Sequence, residues 1–153
     1  MERDKLVKFQ LPASMGRPIV EAQLSAGRIT DVLVVDPSLE LQLIVQDIVR
    51  SVATVQGCST FEDARRRLIS NPPDLLVTTA RLNGHNGLYL VYLASRNPRT
   101  RCIVHLTPPD FALARDVEAA GAIVVRDSSM EVAIESLVFG SAVALRSQTR
   151  AEN

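Results

Sequence analysis

The sequence predicts an α/β fold, a doubly wound five-stranded parallel sheet with helices on both faces. Three observations carry that prediction. First, five short strand-like runs, at 32–35, 53–56, 75–78, 102–106 and 123–125, alternate with five stretches of helical spacing. Second, most of these runs are unbroken and β-branched rather than alternating apolar with polar, which is the pattern of strands buried on both faces. Third, the connections are long enough to carry crossover helices, which parallel neighbours require. The 153 residues are one domain's worth, and 46% hydrophobic with 22% charged excludes wholesale disorder. Seventeen basic side chains balance seventeen acidic ones, so net charge draws the chain toward neither nucleic acid nor an anionic membrane. Trp is absent and aromatics are 4%, so the core must be aliphatic.

Residues 1–30 read as an N-terminal extension. Leu6 to Leu11 has the makings of a short strand, and Ile19 to Leu24 of a helical turn or two, but Pro12, Gly16, Pro18 and Gly27 punctuate the stretch. From Asp31 the pattern sharpens. Val32 to Val35 is a buried strand ending at Asp36. Ser38 is suited to cap a helix carrying Leu41, Ile44, Val45, Ile48 and Val52 at helical spacing. Ala53 to Gln56 is a short strand closed by Gly57. Ser59 or Thr60 opens a helix through Phe61, Ala64 and Leu68, which Asn71-Pro72-Pro73 stops. Leu75 to Thr78 is the third strand, and Asn83 to Gly87 a turn-rich loop. Leu88 to Ser95 is a helix ended by Asn97-Pro98, and Cys102 to Leu106 the fourth strand. Pro109-Asp110 opens a helix closed at Ala120-Gly121. Ile123 to Val125 is the fifth strand. Ser128 or Ser129 caps a last helix reaching about Arg146, and 147–153 is a polar tail.

Cys58 and Cys102 make no disulfide framework and read as small hydrophobes in a reducing compartment. No apolar run is long enough to span a membrane, and Met1 to Gln10 lacks the apolar stretch of a signal peptide, so we expect a cytoplasmic protein. In a doubly wound sheet the working crevice lies beyond the carboxyl ends of the strands. Asp36-Pro37, Thr79, Thr107-Pro108 and Arg126-Asp127 stand there.

Residues 31–146 resemble the receiver domain of bacterial two-component response regulators, a flavodoxin-like fold. Four stretches carry the resemblance: Asp31 to Ser38, as a strand followed by the acidic pair; Pro73 to Leu88, as Pro-Asp-Leu, the acceptor strand and a Gly-rich loop; Ile103 to Thr107, as a strand ending in a switch hydroxyl; and Ala119 to Ala122 before the last strand. The resemblance implies a pocket for aspartyl phosphorylation, and the residues in it are degenerate. Asp36 keeps the first acidic position, but the second is Pro37. The acceptor position is Thr79, which cannot form an acyl phosphate. The expected lysine is replaced by Ser128 when counted without a gap, or by Arg126 when the preceding loop is shortened. Only Asp36 and Thr107 survive, and only Val124 and Val125 stand where the aromatic switch would be. Phosphoryl transfer needs a metal and a cation to neutralise charge, and one carboxylate holds Mg²⁺ poorly. The resulting expectation is a pseudo-receiver with no metal, no cofactor and no catalytic residues, unresponsive to phosphodonors. Asp36 has two readings, as a metal ligand or, the one we favour, as a cap on the following backbone.

Other candidates are weaker. His105 reads as a hydrogen-bonded core residue and His85 as a solvated loop residue, since neither has metal-ligand spacing. Arg65-Arg66-Arg67 reads as a solvated helix face. Asn83 to Gly87 lacks the Gly-Lys-Ser/Thr ending of a phosphate cradle. The last helix is apolar on two sides. Met130, Ile134, Leu137, Val138 and Leu145 should face the sheet, while Val132, Phe139 and Val143 share the opposite face. Either the N-terminal extension covers that second stripe or another protein does, and in receiver domains this face commonly mediates dimerisation. Leu39 and Leu43 form a smaller outward pair. The function expected is protein–protein contact, with a homodimer as the first expectation and neither nucleic acid nor membrane as partner. The alternative is a small-molecule or anion-binding domain using the crevice.

Overall fold

A computed structural model describes residues 28–140. The elements in chain order are β1 (Asp31–Val35), α1 (Glu40–Val49), β2 (Thr54–Cys58), α2 (Phe61–Ser70), β3 (Leu75–Thr79), β4 (Arg81–Leu82), β5 (His85–Asn86), α3 (Gly87–Ala94), β6 (Arg101–His105), α4 (Phe111–Ala119), β7 (Ile123–Val125) and α5 (Asp127–Phe139). Five strands form one parallel sheet in the order β2-β1-β3-β6-β7, as the buried β-branched runs predict. The strand order reverses direction at β1, so β1 and β3 flank the topological switch point.

Successive side chains on a strand point to opposite faces, and the core is accordingly split in two. Val32 and Val34 pack with Leu41, Val45 and Val49 of α1 and with Met130 and Ile134 of α5. Leu33 and Val35 face the other way, toward Leu68 of α2, Leu90 of α3 and Val117 of α4. The layer is aliphatic throughout. Each fully buried Leu, Ile or Val side chain contributes roughly 1.5–3 kcal/mol against exposure. No helix among the described residues is long and apolar enough to cross a membrane.

Several element boundaries depart from the sequence reading. β2 continues through Gly57 to Cys58, because β1 supplies partners in register up to Val35↔Cys58. Gly57 is a close-approach position, where an added Cβ would lie 2.0 Å from the Gln42 side chain. The expected loop at 83–87 is the turn and second strand of a two-stranded antiparallel ribbon, β4 with β5, joined by Asn83 at φ 45° and Gly84 at φ 91°. Two successive positive φ values are what the Asn-Gly hairpin turn demands. α5 begins at Asp127, capped by Arg126 rather than by Ser128 or Ser129, and Ser129 Oγ instead bonds the Arg126 backbone. It ends at Phe139, followed by Gly140 at φ 76°. Its expected continuation to Arg146, with Val143 and Leu145, lies outside the described residues, as do the polar tail and residues 1–27 of the extension.

The last two residues of that extension, Ile29 and Thr30, join the domain. Ile29 is 3% exposed within the α1/α5 core, and the Asp74 carboxylate accepts from Thr30 N, Thr30 Oγ1 and Asp31 N. Arg67 departs from the solvated face expected of the basic run. Its guanidinium pairs with Asp31 at 2.6 Å and also reaches Gln56, while Nε donates to the Asn71 carbonyl. It ties the end of α2 to β1 and β2, whereas Arg65 and Arg66 are exposed as expected.

Candidate functional site

The carboxyl ends of β1, β3 and β6 open into a cleft of about 800 Å³ that continues down the seam between α1 and α5. Four of the five residues assigned to the degenerate pocket line it: Asp36, Pro37, Thr79 and Thr107. Arg126 does not. It lies outside the lining as the exposed cap of α5, because β7 ends at Val125 and the chain turns straight into the helix. The next residue, Asp127, takes a place on the cleft wall instead.

Asp36 is a capping residue here. Its carboxylate accepts from Ser38 N at 3.2 Å, Ser38 Oγ at 3.1 Å and Leu41 N at 3.2 Å. It thus holds the amino end of α1 together with Ser38, whose Oγ accepts from Glu40 N at 3.4 Å, and both of its oxygens are engaged. Pro37 beside it has no ligand to offer. Thr79 ends β3, with its hydroxyl donating to the Arg81 carbonyl at 3.2 Å. Beneath it Thr78, fully buried, donates to the Thr79 carbonyl. This donor set does not fit the Mg²⁺ site of a phospho-receiver, because a hard divalent cation needs several free anionic oxygens and the Asp36 carboxylate is engaged by Ser38 and the Leu41 amide, with Pro37 and Thr79 beside it. Among the described residues no group of three His, Cys, Asp or Glu side chains converges as metal ligands do.

His105 is the site residue that sequence reasoning missed. It is part-exposed rather than core, and its Nε2 lies 2.5 Å from Asp127 Oδ1 and 3.3 Å from Thr107 Oγ1. The available signal was strand alternation: His105 follows Ile103 by two, which puts it on the α1/α5 side at the strand's end. The trio is not a hydrolytic relay. In a relay the acid and the hydroxyl use opposite ring nitrogens, and here both meet the same one. Arg81 also lines the cleft and pairs with Asp110, the N-cap of α4, at 3.3 Å.

The wider cleft is acidic. Glu40 and Asp47 of α1 and Glu131 of α5 join Asp36 and Asp127 along it, against one arginine and one histidine. Its apolar lining comes from Leu41, Ile44, Ile48 and Met130. On the outer surfaces Val132 is 64% and Phe139 37% exposed on α5, and Leu39 69% and Leu43 61% exposed by α1. His85 is exposed as expected, stacked on Phe61 at 4.5 Å.

No family model matches the chain, and no curated protein matches it. Solved structures do. The signal receiver domain of a Luxo repressor protein from Vibrio parahaemolyticus superposes with TM-score 0.63 at 17% identity, over 80% of this chain and 97% of that one. A response regulator protein from Burkholderia pseudomallei, carrying a phosphorylated aspartic acid, a calcium ion and citrate, gives 0.63 at 17% identity, over 81% and 75%. The signal receiver domain of an HD domain-containing protein from Pseudomonas fluorescens gives 0.62 at 21% identity, over 72% and 88%. The fold is therefore that of a response-regulator receiver domain. At these identities the likeness is one of fold.

Proposed function

We propose that this chain is a pseudo-receiver, a signalling module that works by protein–protein contact and takes no phosphoryl group. The observation that supports this reading best is the use made of Asp36. In a phospho-receiver the carboxylate after the first strand would help hold the metal, whereas here one oxygen accepts from Ser38 N and the other from Ser38 Oγ and the Leu41 amide of α1. Thr79 stands at the acceptor position and Pro37 beside Asp36, so the residues at the family positions of nucleophile and second acid carry no carboxylate, and no lysine is among the described residues that line the cleft. A threonine hydroxyl without an adjacent base is a poor nucleophile. The chain acts as a binding module rather than an enzyme.

The test is incubation with acetyl phosphate and Mg²⁺ followed by intact mass measurement. Unchanged mass is the expected result, and a single added phosphate on Thr79 or Asp36 would overturn the reading. The exposed apolar stripe of α5, Val132 with Phe139, is the surface assigned to homodimer contact. An anion-binding role for the cleft is disfavoured by its five carboxylates and by the placement of Arg126 outside it.

A further inference from the structure

The seam between α1 and α5 joins an apolar lining to an acidic rim, and its chemistry specifies an occupant. Ile44 is 47% exposed there and Ile48 half-buried, while Met130 and Leu41 are buried beneath them. Around them stand Glu40, Asp47 and Glu131, all exposed. Asp47 has Arg50 at 3.7 Å in a solvent-exposed pair, and within the described residues neither Glu40 nor Glu131 has an ion-pair partner. The segment to fill such a seam carries alternating cationic and apolar side chains.

The chain contains one stretch of that kind. Lys5-Leu6-Val7-Lys8-Phe9-Gln10-Leu11 holds both lysines of the protein, interleaved with Leu6, Val7 and Phe9. We infer that this segment docks in the α1/α5 seam of its own chain, Lys5 and Lys8 meeting the carboxylates of Glu40, Asp47 and Glu131 and Phe9 resting against Ile44 and Ile48. The tether permits it. Residues 12–27 separate the segment from Arg28, and sixteen residues span up to roughly 50 Å when extended. The chain meets the domain at Ile29, in the same α1/α5 layer, at the amino end of β1. α1 runs back antiparallel to β1, so Asp47 and Ile48 stand toward that end of the sheet. The distance to cover is no more than the length of a five-residue strand, about 17 Å. This inference does not depend on the loss of phosphorylation.

Zero-length carbodiimide cross-linking of the full-length protein tests it, because this chemistry joins lysine amines to carboxylates in direct contact, and Lys5 and Lys8 are the only lysines. Mass spectrometry of the monomer fraction is expected to find Lys5 or Lys8 joined to Glu40, Asp47 or Glu131, with a yield independent of protein concentration. Phe9→Ser is expected to lower that yield about fivefold, by removing the apolar contact. Cross-links scattered evenly over other surface carboxylates would overturn the proposal. So would links confined to the dimer fraction, which would place the segment on a second copy. Absence of any link to the three seam carboxylates would also overturn it and leave the groove to a foreign basic partner.

Discussion

Asp36 carries the most information of any single side chain. Removing its carboxylate leaves the Leu41 amide of α1 and the Ser38 amide before it without acceptors, so Asp36→Ala is expected to cost about 1–2 kcal/mol in denaturant unfolding. Asp36→Asn keeps an acceptor oxygen and should cost less. Because the carboxylate is committed to the cap, millimolar Mg²⁺ should leave the thermal midpoint of the wild-type protein unchanged. A midpoint that rises with Mg²⁺ would mean the cap gives way to a metal. Cys102 makes a prediction of its own. Burial pushes its thiol up to about 12, since the thiolate would be stranded in the α2/α3/α4 layer. A folded-state pKa raised above the unfolded one gives stability that is complete below about pH 9 and is lost as pH rises toward 12. Cys102→Ala should abolish that alkaline component of the unfolding profile, and iodoacetamide should label half-buried Cys58 well before Cys102.

The elements explain where the sequence was transparent and where it was not. The strands were legible because burial on both faces leaves an unbroken apolar run, as in Val32 to Val35. The helix starts at Thr60 and Asp110 were legible too, because each cap is a local bond, to Asp63 N at 3.2 Å and to Leu113 N at 3.0 Å. At α1 the work is shared, Ser38 Oγ accepting from Glu40 N at 3.4 Å and Asp36, five residues back, from Leu41 N at 3.2 Å. The glycines separate in the same way. Gly84 is a local requirement of its turn. Gly87 is a tertiary one, because a Cβ there would lie 2.2 Å from the backbone oxygen of Thr79. Gly87→Ala should therefore destabilise by about 2–3 kcal/mol, by forcing α3 away from the end of β3. At Gly57 the clash is only with the movable end of Gln42, so Gly57→Ala should cost less than about 1 kcal/mol in the same urea titration.

At the scale of the whole molecule, five parallel strands with helices on both faces bury nearly every aliphatic side chain of the sheet, yet leave Val132 and Phe139 outside on α5. Light scattering across a concentration range is expected to give twice the monomer mass at the upper end. Val132→Asp should return the monomer mass without shifting the unfolding midpoint, since that side chain is 64% exposed. A dimer that survives Val132→Asp and Phe139→Asp would place the interface elsewhere, the exposed Leu39 and Leu43 being the next surface to test. The sequence by itself determined the alternation of strands and helices, the apolar faces and a threonine rather than a carboxylate at the end of β3, because these follow from residue type and short-range period. The tertiary structure alone decided that Arg67 is a half-buried clamp, that Asp127 and not Arg126 faces the cleft with His105, and that acidic side chains from α1 and α5 meet across one seam. Those facts depend on which elements the fold lays side by side, and contacts between residues far apart in the chain leave no mark on local pattern.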